Sequence, residues 1–163
     1  DVNITMGTFS KSLGSIGGFI AGDENVIHYI KHHSRPLIFS ASMPPSAVAT
    51  VIAALDIIQQ EPGLREKLWQ NTEKMKKGFA HLGFNTANSQ TPIIPVIIGD
   101  DETTFYFWRR LFESGVYANP VISPAVPPGM SLIRTSYMAT HTDDQLNQVL
   151  ATFEKLGKEI GIV

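Results

Sequence analysis

Cysteine is absent from this chain of 163 residues, which excludes a disulfide framework and any thiolate-ligated metal site. No apolar run approaches the roughly 20 residues that a membrane-spanning helix requires. A cytoplasmic location is therefore the expectation. An excess of charge is missing too: 13 Lys and Arg stand against 15 Asp and Glu, for a net charge of −2. The basic residues are scattered, so neither a nucleic-acid surface nor a polybasic membrane patch is indicated. Repeats and low-complexity tracts are lacking as well. Small-molecule chemistry and protein contacts remain.

With 43% of its residues apolar, the chain is long enough to bury a real core. Short apolar runs at Val2 to Met6 and Gly18 to Ala21 read as strands flanking a loop. Asp23 is placed to cap a short helix through His32. The segment "RPLIFSASMPP" is expected to be extended, because Pro36 and the Pro44-Pro45 pair disfavour helix at the residues before them. A long helix then starts at Pro44 or Pro45, with Val48, Val51, Leu55 and Ile58 on a face expected to be well buried.

A second long helix is expected from about Gly63 to Leu82, with Leu64, Leu68, Met75, Phe79 and Leu82 on one stripe and Gly83 as its stop. Lys67, Lys74 and Lys77 fall off that stripe and read as solvated. Beyond it the pattern alternates. A strand at Ile93 to Ile98, a helix at about Thr103 to Ser114 and strands at Val116 to Asn119 and Ser131 to Ser136 precede a last helix. Thr142 and Gln145 make a capping box for that helix. This is a two-layer α+β or α/β unit, with a domain boundary near Pro62.

Three segments can carry chemistry. In "GTFSKSLGSIGGF", Thr8, Ser10 and Ser12 set hydroxyls around the Lys11 amine, and Gly14, Gly17 and Gly18 permit close backbone approach. The order of residues is neither a P-loop nor a dinucleotide fingerprint. Lys11 is then a solvated loop residue, a phosphate ligand, or a nucleophile that bonds a phosphate-bearing aldehyde. In "SLIRTSYMATHT", Arg134 sits within an apolar strand run and either points to water or turns to meet an anion with its planar fork. His141, just before the capping box, reads as structural. In "RPLIFSASMPPSAVAT", Ser40 and Ser42 precede a helix start, where either an anion or a plain N-cap is served. His28 and His32 share a helix face but lack an acidic partner, so no metal is expected.

Together, "GTFSKSLGSIGGF", "RPLIFSASMPP" and "SPAVPPGMSLIRTSYMATHT" resemble, in order and across the whole chain, the α-oxoamine synthase family of pyridoxal 5'-phosphate (PLP) enzymes. Those enzymes condense an amino acid with an acyl-CoA and release carbon dioxide. The resemblance implies that Lys11 is the Schiff-base lysine, that Thr8 and Ser10 face the cofactor phosphate, and that Ser40 reaches the phosphate of a neighbouring subunit in a homodimer with shared active sites. It implies that Arg134 binds the substrate carboxylate and that the loop carrying Pro120, Pro124, Pro127 and Pro128 closes over the acyl substrate.

The segments look most like the branch that joins L-serine to palmitoyl-CoA. Sister enzymes with other amino acids and shorter acyl groups, and a non-catalytic partner subunit of the same fold, are the alternatives. The implied fold is α/β, a fragment of an aminotransferase-like fold type I enzyme. Residues 1–62 would end the large PLP-binding domain and residues 63–163 would form the small C-terminal one. Asp1 is not Met, and the family's ring-stacking histidine, its ring-nitrogen aspartate and its glycine-rich phosphate turn lie upstream of it. On that expectation the missing N-terminal part of the same enzyme is a partner, and the chain alone does not complete the reaction.

Overall fold

The computed structural model describes residues 2–163, which divide into two compact units, the first ending at Pro62 and the second spanning Gly63–Val163. In the first, β1 (Ile4–Thr8) and β2 (Gly18–Gly22) pair antiparallel, with Thr8 opposite Gly18. Helices α1 (Glu24–His33), α2 (Arg35–Ile38) and α3 (Pro45–Gln60) follow. The Asp23 carboxylate accepts from the Asn25 N–H at 2.9 Å and caps α1 as expected.

Two expectations fail in this unit. "RPLI" is a helical turn and not extended chain, because Pro36 occupies the first turn, where its missing N–H costs no hydrogen bond. Helix α3 is mostly exposed: Val51 is its buried residue, while Val48, Ile52, Leu55 and Ile57 each keep more than a third of their surface in water. The spacing of α3's apolar residues does describe one face, but spacing cannot say whether anything lies against it.

The second unit holds α4 (Pro62–His81, its first residue ending the other unit), β3 (Ile93–Gly99), α5 (Asp101–Glu113), β4 (Asn119–Val121), β5 (Ser131–Ser136) and α6 (Asp143–Ile160). The strands form an antiparallel sheet of order β3-β5-β4. Pro95 and Pro120 lie on its two edge strands, where a missing ladder donor is tolerated; the central strand carries none. The strand expected at Val116 to Asn119 starts only at Asn119 and runs to Val121. Val116 and Ala118 are buried in the approach to it and supply core without pairing.

Alternation along β5 divides the sheet. Ser131, Ile133 and Thr135 are buried, whereas Arg134 and Ser136 are exposed. On the buried side, Ile94, Val96 and Ile133 meet Met75 and Phe79 of α4, Phe107 and Leu111 of α5, and Leu146, Phe153 and Leu156 of α6. Phe153 stands edge-on to Phe79, Phe84 and Phe107, with ring centroids 5.0, 5.7 and 5.4 Å away. Such edge-to-face contacts add about 1 kcal/mol each beyond area burial. The capping box of α6 forms as expected, Thr142 and Gln145 exchanging side-chain bonds to each other's backbone N–H.

Candidate active site

Lys11 lies at the tip of the loop that joins β1 to β2. The loop is pinned at its neck, where the Phe9 N–H donates to the Gly17 carbonyl at 3.0 Å and the Ser15 N–H donates to the Phe9 carbonyl at 2.9 Å. Phe9 is buried and stacks on Phe19, centroids 5.8 Å apart. A tight turn closes from the Gly14 N–H to the Lys11 carbonyl at 3.0 Å, with Gly14 at a φ of +60°. Ser15 also donates to the Ala47 carbonyl of α3 at 3.0 Å, which ties the loop to a helix. Gly17 is favoured here by its φ of +95°, a conformation that residues with a Cβ rarely adopt.

Beside the lysine, the Thr8 and Ser10 hydroxyls lie 2.9 Å apart, and the Ser10 N–H donates to Thr8 Oγ1 at 3.2 Å. Thr8, Ser10 and Lys11 are all exposed. The loop thus presents an amine and a bonded hydroxyl pair together on a fixed base.

Ser40 is not brought to that cluster by any hydrogen bond. Its hydroxyl donates to the Pro36 carbonyl in the α2 turn. Neither Ser40 nor Ser42 caps α3, whose N-cap position is Pro44. The N-cap alternative therefore fails. The His28 and His32 rings lie 4.3 Å apart, but His32 Nδ1 bonds the His28 carbonyl, and no cluster suited to a metal exists among the described residues.

Arg134 belongs to the second unit, at the centre of the open face of the sheet. It stands opposite Pro95 on one side and Asn119 on the other. It is exposed, and among the described residues no carboxylate pairs with it. The turn after β5 is held from below. Asn71, buried in α4, donates to the Met138 and His141 carbonyls at 2.9 and 3.2 Å, and His141 Nδ1 accepts from the Met138 N–H at 3.2 Å. His141, read from the sequence as structural, ties the turn that leads into the α6 cap. The bonds from Asn71 reach across the chain to residues 138 and 141, so nothing in the local sequence announces them.

A match to the family described as aminotransferase class I and II extends over residues 1–153. The chain belongs to that family. A serine palmitoyltransferase of Bacteriovorax stolpii is 51% identical over 158 residues, covering 97% of this chain and 38% of the relative. An 8-amino-7-oxononanoate synthase of Treponema denticola is 40% identical over 162 residues, covering 99% of this chain and 41% of the relative. Both relatives are α-oxoamine synthases, so the resemblance read from the motifs is borne out. A solved structure of SPT with PLP superposes with a TM-score of 0.93 at 34% identity, covering 99% of this chain and 41% of that one. The mixed helix and sheet architecture agrees with the fold type I expectation. The chain spans about two fifths of the length of the relatives it matches.

Proposed function

We propose that this chain contributes the lysine and the carboxylate anchor of a PLP-dependent acyltransferase that condenses L-serine with palmitoyl-CoA, giving 3-ketodihydrosphingosine, CoA and carbon dioxide. In this reading, residues 1–62 end the large cofactor domain and residues 63–163 are the small C-terminal domain. The observation that carries it is the Lys11 loop, where an exposed amine follows directly on a bonded hydroxyl pair, Thr8 at the end of β1 and Ser10 at the start of the clamped loop. That donor set fits a phosphate-bearing aldehyde: the hydroxyls exchange their bond to each other, and Thr8 its 3.4 Å bond to the Gly17 carbonyl, for bonds to phosphate oxygens, and the amine bonds the carbonyl carbon.

PLP, when bound, supplies the aldehyde and a ring that takes up negative charge developing at the amino-acid Cα. Lys11 holds the cofactor through Nζ and, once displaced by the amino acid, accepts the Cα proton at the same nitrogen. Thr8 and Ser10 hold the phosphate end in place. Arg134 binds the serine carboxylate through its two-pronged fork. Ser40 turns its hydroxyl from the Pro36 carbonyl to a phosphate of a second subunit's site.

Two variants test the assignment in the PLP-loaded protein. Lys11→Ala is expected to abolish the visible absorption band of the lysine-bound cofactor, and an unchanged spectrum rejects the role of Lys11. Arg134→Ala is expected to keep that band and weaken L-serine binding by roughly a hundredfold, the worth of a two-pronged charge-assisted contact of about 3 kcal/mol. The 40% identity to an 8-amino-7-oxononanoate synthase supports a second reading, with a different amino acid and a shorter acyl-CoA. CoA release measured across amino acids and acyl lengths separates the two.

A further inference from the structure

The open face of the sheet is almost wholly apolar around Arg134. The row on one side of it is Ile97, Leu132 and Val121, and Ile93 faces Ser136 on the other. Within its own row, Arg134 has Pro95 as one neighbour and Asn119 as the other. Residues directly opposite on antiparallel strands bring their Cβ atoms to about 5 Å on the same face. Pro95 offers no side-chain donor. Asn119 offers a carboxamide, it is exposed, and its side chain forms no hydrogen bond among the described residues.

A carboxylate has about four lone-pair positions, and a guanidinium fork satisfies only two of them. The remaining positions face whatever stands next to the arginine, and on this sheet the polar neighbour across the strand pair is Asn119. We infer that Asn119 is a second donor to the substrate's α-carboxylate: its Nδ2–H donates to one oxygen while the Arg134 fork holds both. This rests on Arg134 being the carboxylate anchor proposed above. It makes Asn119 a substrate-binding residue that favours an amine bearing a carboxylate over one without it.

The test uses the PLP-loaded protein and reads the change in cofactor absorbance as ligand is added, which gives Kd without turnover. L-serine is compared with ethanolamine, which has the same amine and hydroxyl but no carboxylate. Asn119→Ala is expected to weaken L-serine binding about tenfold, the effect of losing one hydrogen bond to a charged group. Asn119→Asp is expected to weaken it further, because the new carboxylate competes for Arg134. Ethanolamine binding is expected to be unchanged in both.

Thermal midpoints should match the parent, since Asn119 is exposed at the start of an edge strand. Equal weakening of serine and ethanolamine overturns the inference, as does native-like serine binding in both variants while Arg134→Ala is impaired. Native-like serine binding by Arg134→Ala instead removes the carboxylate-anchor reading itself.

Discussion

The Tyr137 hydroxyl is buried without a hydrogen-bond partner among the described residues, although Tyr137 directly follows the strand that carries Arg134. Burial pushes its phenol well above the ordinary value, so the group stays neutral in the fold. The sign follows from linkage. The folded state holds the proton more tightly, so this contribution is complete below the unfolded value of about 10 and fades as pH rises beyond it. Tyr137→Phe removes both the unpaired hydroxyl and the alkaline slope. We expect it to gain about 1 kcal/mol near neutral pH, and to flatten the loss of stability above pH ~10, in denaturant melts at a series of pH values. The sequence told this residue scale unevenly. Lys11, Thr8 and Ser10 were legible because they are neighbours in the chain, and the fold keeps them neighbours. Asn119 was not, because only strand register sets it opposite Arg134.

Among elements, α6 shows how closely a sequence can write its own packing. Its capping box was read from Thr142 and Gln145, and the helix stops at Gly161 with a φ of +80°, as the left-handed C-terminal rule has it. Gly157, inside it, was not legible. A Cβ there would lie 2.7 Å from Phe84 Cζ and 2.8 Å from Val163 Cγ2. Val163 can yield, but Phe84 is wedged against Phe79 and Phe153. Alanine is favoured over glycine within a helix by about 1 kcal/mol, whereas forcing an extra carbon into a packed site costs about 1–3 kcal/mol. The clash should win, and Gly157→Ala is expected to lose about 1 kcal/mol in a urea melt. A gain in stability would show that Phe84 repacks freely. The missed features, the α2 turn and the late start of β4, share a cause. Both involve proline in a place where its lost donor is harmless, so residue type alone misled.

At the scale of the molecule, the two units differ in how much they bury. The second has a continuous cluster from Met75 to Leu156, whereas in the first Phe9 and Val51 are the buried apolar residues among those described. Stability follows buried apolar area at roughly 25 cal/mol per Å². Residues 63–163 expressed alone are therefore expected to unfold cooperatively with near-ultraviolet dichroism intact. Residues 1–62 alone are expected to bind a hydrophobic dye and melt without a sharp transition. A cooperative melt from the shorter piece would count against that division of labour. Periodicity foretold helices and strands in both units, but gave no measure of what each face would meet.

The placement of Arg134 bears on how the chain finds its fold. Side chains alternate along a strand, so slipping β5 by one residue would drive the guanidinium into the aromatic core and expel Ile133 and Thr135. An unpaired charge in that core is far costlier than any gain a shifted pairing could offer. The arginine we propose as a carboxylate anchor thus also guards strand alignment, and a neutral replacement should make mispaired forms easier to populate during refolding.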